Sequence, residues 1–76
     1  MVKMIRQWNE EELDGRKSIW QVGEKFYFIS SVKDNFWISE TMAFECDKDE
    51  NILSWHEKWV GEYEADHHNV AKELAA

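Results

Sequence analysis

Proline is absent from the 76 residues, glycine occurs three times and cysteine once. With no Pro- or Gly-rich stretch, no low-complexity segment and no internal repeat, the composition offers no linker, and a single domain over residues 1–76 is expected. The lone Cys46 excludes an intrachain disulfide. No apolar run approaches the roughly 18 residues of a membrane-spanning helix, and the first residues lack the basic-then-apolar order of a signal segment. A cytoplasmic protein follows as the expectation. The missing Asn-x-Ser/Thr sequon agrees with it.

Basic residues are scarce where acidic ones collect. Residues 1–39 balance six acids with six bases, whereas residues 40–76 set ten acids against Lys48, Lys58 and Lys72, and so carry the whole net charge of −7. Direct binding to a phosphate backbone is disfavoured by that sign. A basic partner surface, or solubility alone, is favoured.

What the chain has in quantity is aromatic side chains, eleven in all, five of them Trp. A chain this short buries only about 60% of the surface its unfolded state exposes, so a core dense in large rings is what it needs. Five indoles exceed what so small a core encloses, and at least one is expected in an exposed apolar patch or a homodimer interface.

The longest strand pattern runs from Phe36 to Cys46. Phe36, Ile38, Met42, Phe44 and Cys46 share one side and Trp37, Ser39, Thr41, Ala43 and Glu45 the other. Glu40 interrupts the apolar side, where an unpaired buried carboxylate is costly, so a position open to water is expected for it. Upstream, Ser18–Val22 and Lys25–Val32 flank Gly23-Glu24, the signature of a hairpin with a type II′ turn. Lys33-Asp34-Asn35 makes the second turn, Asp47–Asn51 the third, and Ile52–Glu57 a fourth strand.

The ends of the chain read as helical. Val2–Trp8 reads two ways, since Met1, Ile5, Trp8 and Leu13 fit a helix while Val2, Met4 and Trp8 alternate like a strand, and a short helical start is the expectation. Asn9 then caps a short helix with Glu10–Glu12 in its first turn and Gly15 as its stop. Lys58–Glu64 reads as a turn through Gly61. Asp66 caps a final helix with His67, Val70, Ala71 and Leu74 on one face. The fold expected is α+β, a four-stranded antiparallel meander with a C-terminal helix packed on one face and a short N-terminal helix.

Three residue groups suggest chemistry, and each has a plainer reading. Asp47-x-Asp49-x-Asn51 resembles the start of a calcium loop, but Ile52 stands where the glycine belongs and Lys58 where the bidentate Glu belongs, leaving a polar turn. His67-His68 with His56 and Asp66 lack the i, i+4 spacing of helical metal ligands, so one histidine against the sheet and one in solvent is expected. Cys46, His56 and Glu57 contain the residue types of a thiol nucleophile, its base and its orienting acid, yet a thiol on an apolar strand face is ordinarily inert packing. No catalytic residue, metal or cofactor is assigned, and the protein is expected not to be an enzyme.

The second half also carries a resemblance. Glu40-Thr41-Met42-Ala43-Phe44, then Cys46-Asp47, Asn51-Ile52 with Trp55, then Tyr63, His67 or His68, and Ala71 resemble a group of small proteins encoded by tailed phages and prophages of Gram-positive bacteria, in which the strand reads Glu-Thr-Met-Val-Phe. The chain departs from that group at Ala43 and at Glu64-Ala65-Asp66, where the group carries a Thr-x-x-Glu cap. The resemblance implies a small α+β fold of mobile-element origin in a host-cell cytoplasm, with Glu40, Thr41, Trp55 and Tyr63 as structural positions, and it brings no activity. The function expected is that of an acidic phage-type accessory protein, an inhibitor or nucleic-acid mimic, that binds a basic site on a host or phage protein through Glu45, Asp47, Asp49, Glu62, Trp37 and Trp59. A homo-oligomeric assembly component and a small hydrolase or metal-dependent enzyme are the alternatives.

Overall fold

A computed structural model describes residues 1–10, 15–33, 39–53 and 58–75, with the backbone alone for 58–60 and 75. Five strands, β1 (Val2–Glu10), β2 (Gly15–Val22), β3 (Lys25–Lys33), β4 (Ser39–Cys46) and β5 (Lys58–Gly61), precede one helix, α1 (His67–Ala75). The strands form one antiparallel sheet in the order β1-β2-β3-β4-β5, a meander in which every sequence neighbour is also a spatial neighbour. The antiparallel meander and the C-terminal helix are as the sequence indicates.

The short N-terminal helix is not present among the described residues. Residues 2–10 are a strand, and the reason for the misleading pattern is a register shift: Met4 lies opposite Trp20 but Arg6 lies opposite Ile19, leaving Ile5 as an extra residue. An inserted residue breaks period-2 alternation and sets Ile5 and Trp8 at a helical spacing. Asn9 and Glu10, expected to open a helix, pair with Arg16 and Gly15; residues 11–14 lie outside the described part. Gly15 starts β2 and does not stop a helix.

Two further boundaries move. Lys58–Gly61, expected as a turn, is the fifth strand, paired with Thr41–Ala43 and shifted in register between Thr41 and Met42. Of the expected strand Ile52–Glu57, Ile52 makes a single bridge to Cys46 and residues 54–57 are not described. The central strand is described from Ser39, with Phe36, Trp37 and Ile38 outside the described residues.

Elsewhere the local chemistry acts as its residues dictate. Gly23 takes φ +64° in the two-residue turn between Val22 and Lys25, the conformation that glycine adopts at little cost. Asp66 accepts from His68 N at 2.8 Å and from Asn69 N at 3.4 Å and so caps α1. Asp47 organises the turn after β4: its Oδ1 accepts from Asp49 N (2.8 Å) and Asn51 N (2.9 Å), and its Oδ2 from Asn51 Nδ2 (3.1 Å). Those amides, Asn51's foremost, hold the Asp47 carboxyl below the ordinary carboxylate range. The calcium-loop residues are thus spent on their own turn.

Both faces of the sheet are used, which a strand with a single covered face does not require. α1 lies against β1 and β2. Beneath it Trp20, Ile29, Ala43, Val70 and Ala71 form the core, with Val2, Val22, Ala65 and Leu74 at its margin. The other face carries the aromatic row Trp8, Phe28 and Phe44, with ring centroids 5.9 and 6.0 Å apart. Buried Ile19 pairs with Phe28 at the middle of that row. Among the described residues no helix is long and apolar enough to cross a membrane.

Candidate functional site

Where the helix begins, the buried layer changes from apolar to polar. In β2 the inward alternation Val22, Trp20 continues to Ser18 and Arg16; in β3 Ile29 is followed by Ser31; in β4 Ala43 is preceded by Thr41. Ser18, Ser31 and Thr41 are at most 1% exposed, and His67, the first residue of α1, is buried above them.

A single chain of hydrogen bonds connects these groups. Trp20 Nε1 lies 2.7 Å from Ser18 Oγ, Ser18 Oγ 2.5 Å from His67 Nδ1, His67 Nε2 2.7 Å from Ser31 Oγ, Ser31 Oγ 2.5 Å from Thr41 Oγ1, and Thr41 Oγ1 2.7 Å from the Glu62 carbonyl oxygen. The carbonyl end fixes the protons as far as the ring, and the neutrality of the ring fixes the last one. A carbonyl only accepts, so Thr41 donates to Glu62; Thr41 then accepts from Ser31, and Ser31, its proton spent, accepts from His67 Nε2–H. The indole only donates, so Ser18 accepts from Trp20 and gives its own proton to His67 Nδ1. The hydrogen-bond chain requires Nε2–H, and with the ring neutral, as its burial favours, Nδ1 is the acceptor from Ser18.

The surroundings hold it there. Burial is the main cause of a His67 pKa lowered to about 4, reinforced by the positive charges of Arg16 and Lys17 and opposed by Asp66. The Arg16 guanidinium closes the same region from the side, donating through Nη2 to the Tyr63 and Ala65 carbonyls (3.3 Å to Ala65) and, at 3.5 Å, to Ser31 Oγ. It also stands 5.0 Å from the Tyr63 ring centroid, with Lys33 Nζ at 5.7 Å. Every buried side-chain nitrogen and oxygen among the described residues has a partner.

A serine beside a histidine is the beginning of a nucleophilic dyad, but neither hydroxyl is open to a substrate and both protons are committed. Cys46 is equally inert: it is 2% exposed, and burial, with Asp47, Glu50 and Glu45 adding their charge, pushes its thiol up to about 11. Its suggested partners His56 and Glu57 lie outside the described residues. His67 faces the sheet while His68 is exposed and stacks on Trp20, centroids 5.5 Å apart, so the two rings do not converge. Among the described residues no three metal-ligating side chains come together.

The four acids expected to form one binding surface are divided. Glu45, Asp47 and Asp49 gather with Glu50 around the β4–β5 turn, where Arg6 of β1 pairs with Glu50. Glu62 follows β5 at the opposite end of the sheet, beside Thr41 and the start of α1. Trp37 is not described, nor is the Trp59 side chain. Glu40 lies opposite Val32, one residue into β4, half-buried and with no hydrogen-bond donor to its carboxylate among the described residues. Thr41 is a member of the relay and the Tyr63 carbonyl accepts from Arg16; Trp55 is outside the described residues.

A groove of about 540 Å³ lies between β1 and the N-terminal end of α1, lined by Met4, Gln7, Asn9, Trp20, Asp66 and His68 among others. Arg16 and Lys17 balance Glu64 and Asp66 in its lining, which leaves it close to neutral. Sequence reasoning missed the relay: Ser18 and Ser31 each continue an apolar inward phase and His67 lies on the inward face of the helix, but Thr41 lies on the side of β4, with Ser39, Ala43 and Glu45, that the pattern does not mark as apolar. Comparison with protein-family models, curated proteins and solved structures finds no match.

Proposed function

We propose that this chain is a non-enzymatic accessory protein of the phage type whose acidic β4–β5 turn binds a basic site on a host or phage protein. The observation that carries the reading is the fixed geometry of that turn. Asp47 is locked by Asp49 and Asn51, Glu50 adopts φ +70°, and Leu53 N donates to the Glu45 carbonyl at 2.9 Å, so the side chains of Asp49, Glu50 and Glu45 stand on a preformed loop. A charge array already in place loses less entropy on binding than one on a mobile segment.

The split between the two acidic groups designs the test. Protein immobilised and exposed to bacterial lysate should retain a nucleic-acid-binding protein, and retention should weaken above about 0.1 M salt, where screening becomes effective within about 10 Å. The double reversal Glu45→Lys with Asp49→Lys should weaken capture by about tenfold or more, while Glu62→Lys at the far end leaves it unchanged. Asp47 is left intact because its carboxylate builds the turn. Equal losses in both variants would show that net charge alone matters, and no loss in either would remove the proposal.

A second reading rests on β1. It is an edge strand with Met4 45% and Ile5 43% exposed, the kind of edge that pairs with another copy. Sedimentation across a hundredfold concentration range should then show a dimer that Ile5→Lys abolishes; a monomer throughout excludes it.

A further inference from the structure

We infer that His67 is a proton-operated latch: a proton arriving at Nδ1 reverses the hydrogen bond to Ser18, places a cation in the buried layer and releases α1 from a sheet that stays folded. The geometry supplies the reason. Ser18 Oγ already accepts from Trp20 and donates to Nδ1, so once Nδ1 carries hydrogen the hydroxyl proton must turn off the ring and give up that acceptor, while the oxygen takes a second donor. The new cation sits in a layer that offers it no carboxylate contact. β2 presents Arg16, with Lys17 acting from its other side, β3 and β4 present hydroxyls, and β1 presents neutral Gln7 and Asn9. Asp66, the one opposing charge that acts on it among the described residues, is engaged as the cap of α1. His68, on the helix itself, faces Trp20. His67 is also the first residue of α1, where the helix dipole opposes positive charge.

The helix is poised to leave as a unit. It has nine residues, and its inward contacts besides His67 are Val70, Ala71 and Leu74. A helix of that length does not persist undocked. Its departure would uncover Trp20, Ile29 and Ala43, all at most 7% exposed in the docked form, and so give the protein an apolar face in acid that it lacks at neutral pH.

The sign follows from the lowered basicity. The docked form holds the proton more weakly than the released form, so docking is fully supported above the ordinary histidine value of 6.5 and is lost as pH falls toward about 4. Relative to pH 7.5, the docking equilibrium at pH 4 should fall by about 100-fold. Amide exchange read by NMR, corrected for the intrinsic rate, should show that loss at Val70–Leu74 while Ile19 and Ile29 keep their protection. His67→Gln provides the comparison, since Gln Oε1 can accept from Ser18 and Gln Nε2 can donate to Ser31 without titrating; its α1 amides should stay protected over the same range. The inference is overturned if the natural protein loses α1 and sheet protection together, if α1 stays protected at pH 4, or if His67→Gln shows the same acid profile. Should His67→Gln not fold, long-range ¹H–¹⁵N spectra of the natural protein decide: Nε2–H alone at pH 7, converting to a doubly protonated ring as the α1 amides lose protection, supports the latch, and a ring charged while α1 remains docked refutes it.

Discussion

Replacing Ile29 with Ala is expected to destabilise the protein by about 2–5 kcal/mol, the range for emptying a buried aliphatic position. Ile29 is fully buried at the centre of the sheet, between Ser18 of β2 and Ala43 of β4, and it joins Trp20, Val70 and Ala71 in the core under α1. Ala43 and Ala71 are small neighbours with nothing to extend into the vacated space, so the cavity stays. A domain of this length has a stability on the order of 4–11 kcal/mol, so the variant approaches the limit of folding. Urea denaturation should show a midpoint shifted sharply downward with an unchanged slope, and Ile29→Val should cost only about 0.5–1.5 kcal/mol. A loss below about 1 kcal/mol for Ile29→Ala would mean that α1 does not seal this core as described.

Ser31→Ala is expected to cost about 2–4 kcal/mol despite removing a single oxygen. That oxygen accepts from His67 Nε2, donates to Thr41 and lies within reach of Arg16, so its loss strands a buried N–H and deprives Thr41 of a donor in one step. The burial term is trivial for such a change, and the whole effect comes from unsatisfied partners. A double-mutant cycle separates the two explanations. If the relay is the cause, Ser31→Ala combined with His67→Leu should cost less than the sum of the single changes, with a coupling of about 0.5–3 kcal/mol, because the second substitution removes the donor that the first had orphaned. Additive losses, measured by the same denaturation, would mean that Ser31 and His67 act separately.

The parts of the fold legible in the sequence are those fixed by nearest neighbours. The Gly23 turn, the Asp66 cap, the Asp47 turn and the alternation through β2, β3 and β4 each depend on residues a few positions apart. What stayed hidden depends on pairing across distance. One extra residue at Ile5 disguised β1 as a helix, and β5 owes its place to the register it finds on Thr41–Ala43. The relay was hidden for a related reason: Ser18, Ser31, Thr41 and His67 come from four elements, none of them marks a site alone, and only the meander brings them into one line. The acidic second half misled in the opposite direction, because adjacency in charge along the chain did not become adjacency in space for Glu62.

The inserted Ile5 has a consequence for cooperativity. Before it, Val2 packs against the core beneath α1, and after it Arg6 and Trp8 point the other way, where Trp8 meets Phe28 and Arg6 lies 4.0 Å from the Trp8 ring centroid. One continuous strand is therefore threaded through both packed layers. Loss of α1 would open one layer and leave β1 held by the other, so the strand at the edge of the sheet, the place where folded domains ordinarily fray, is here the seam that keeps the sheet whole when the helix departs.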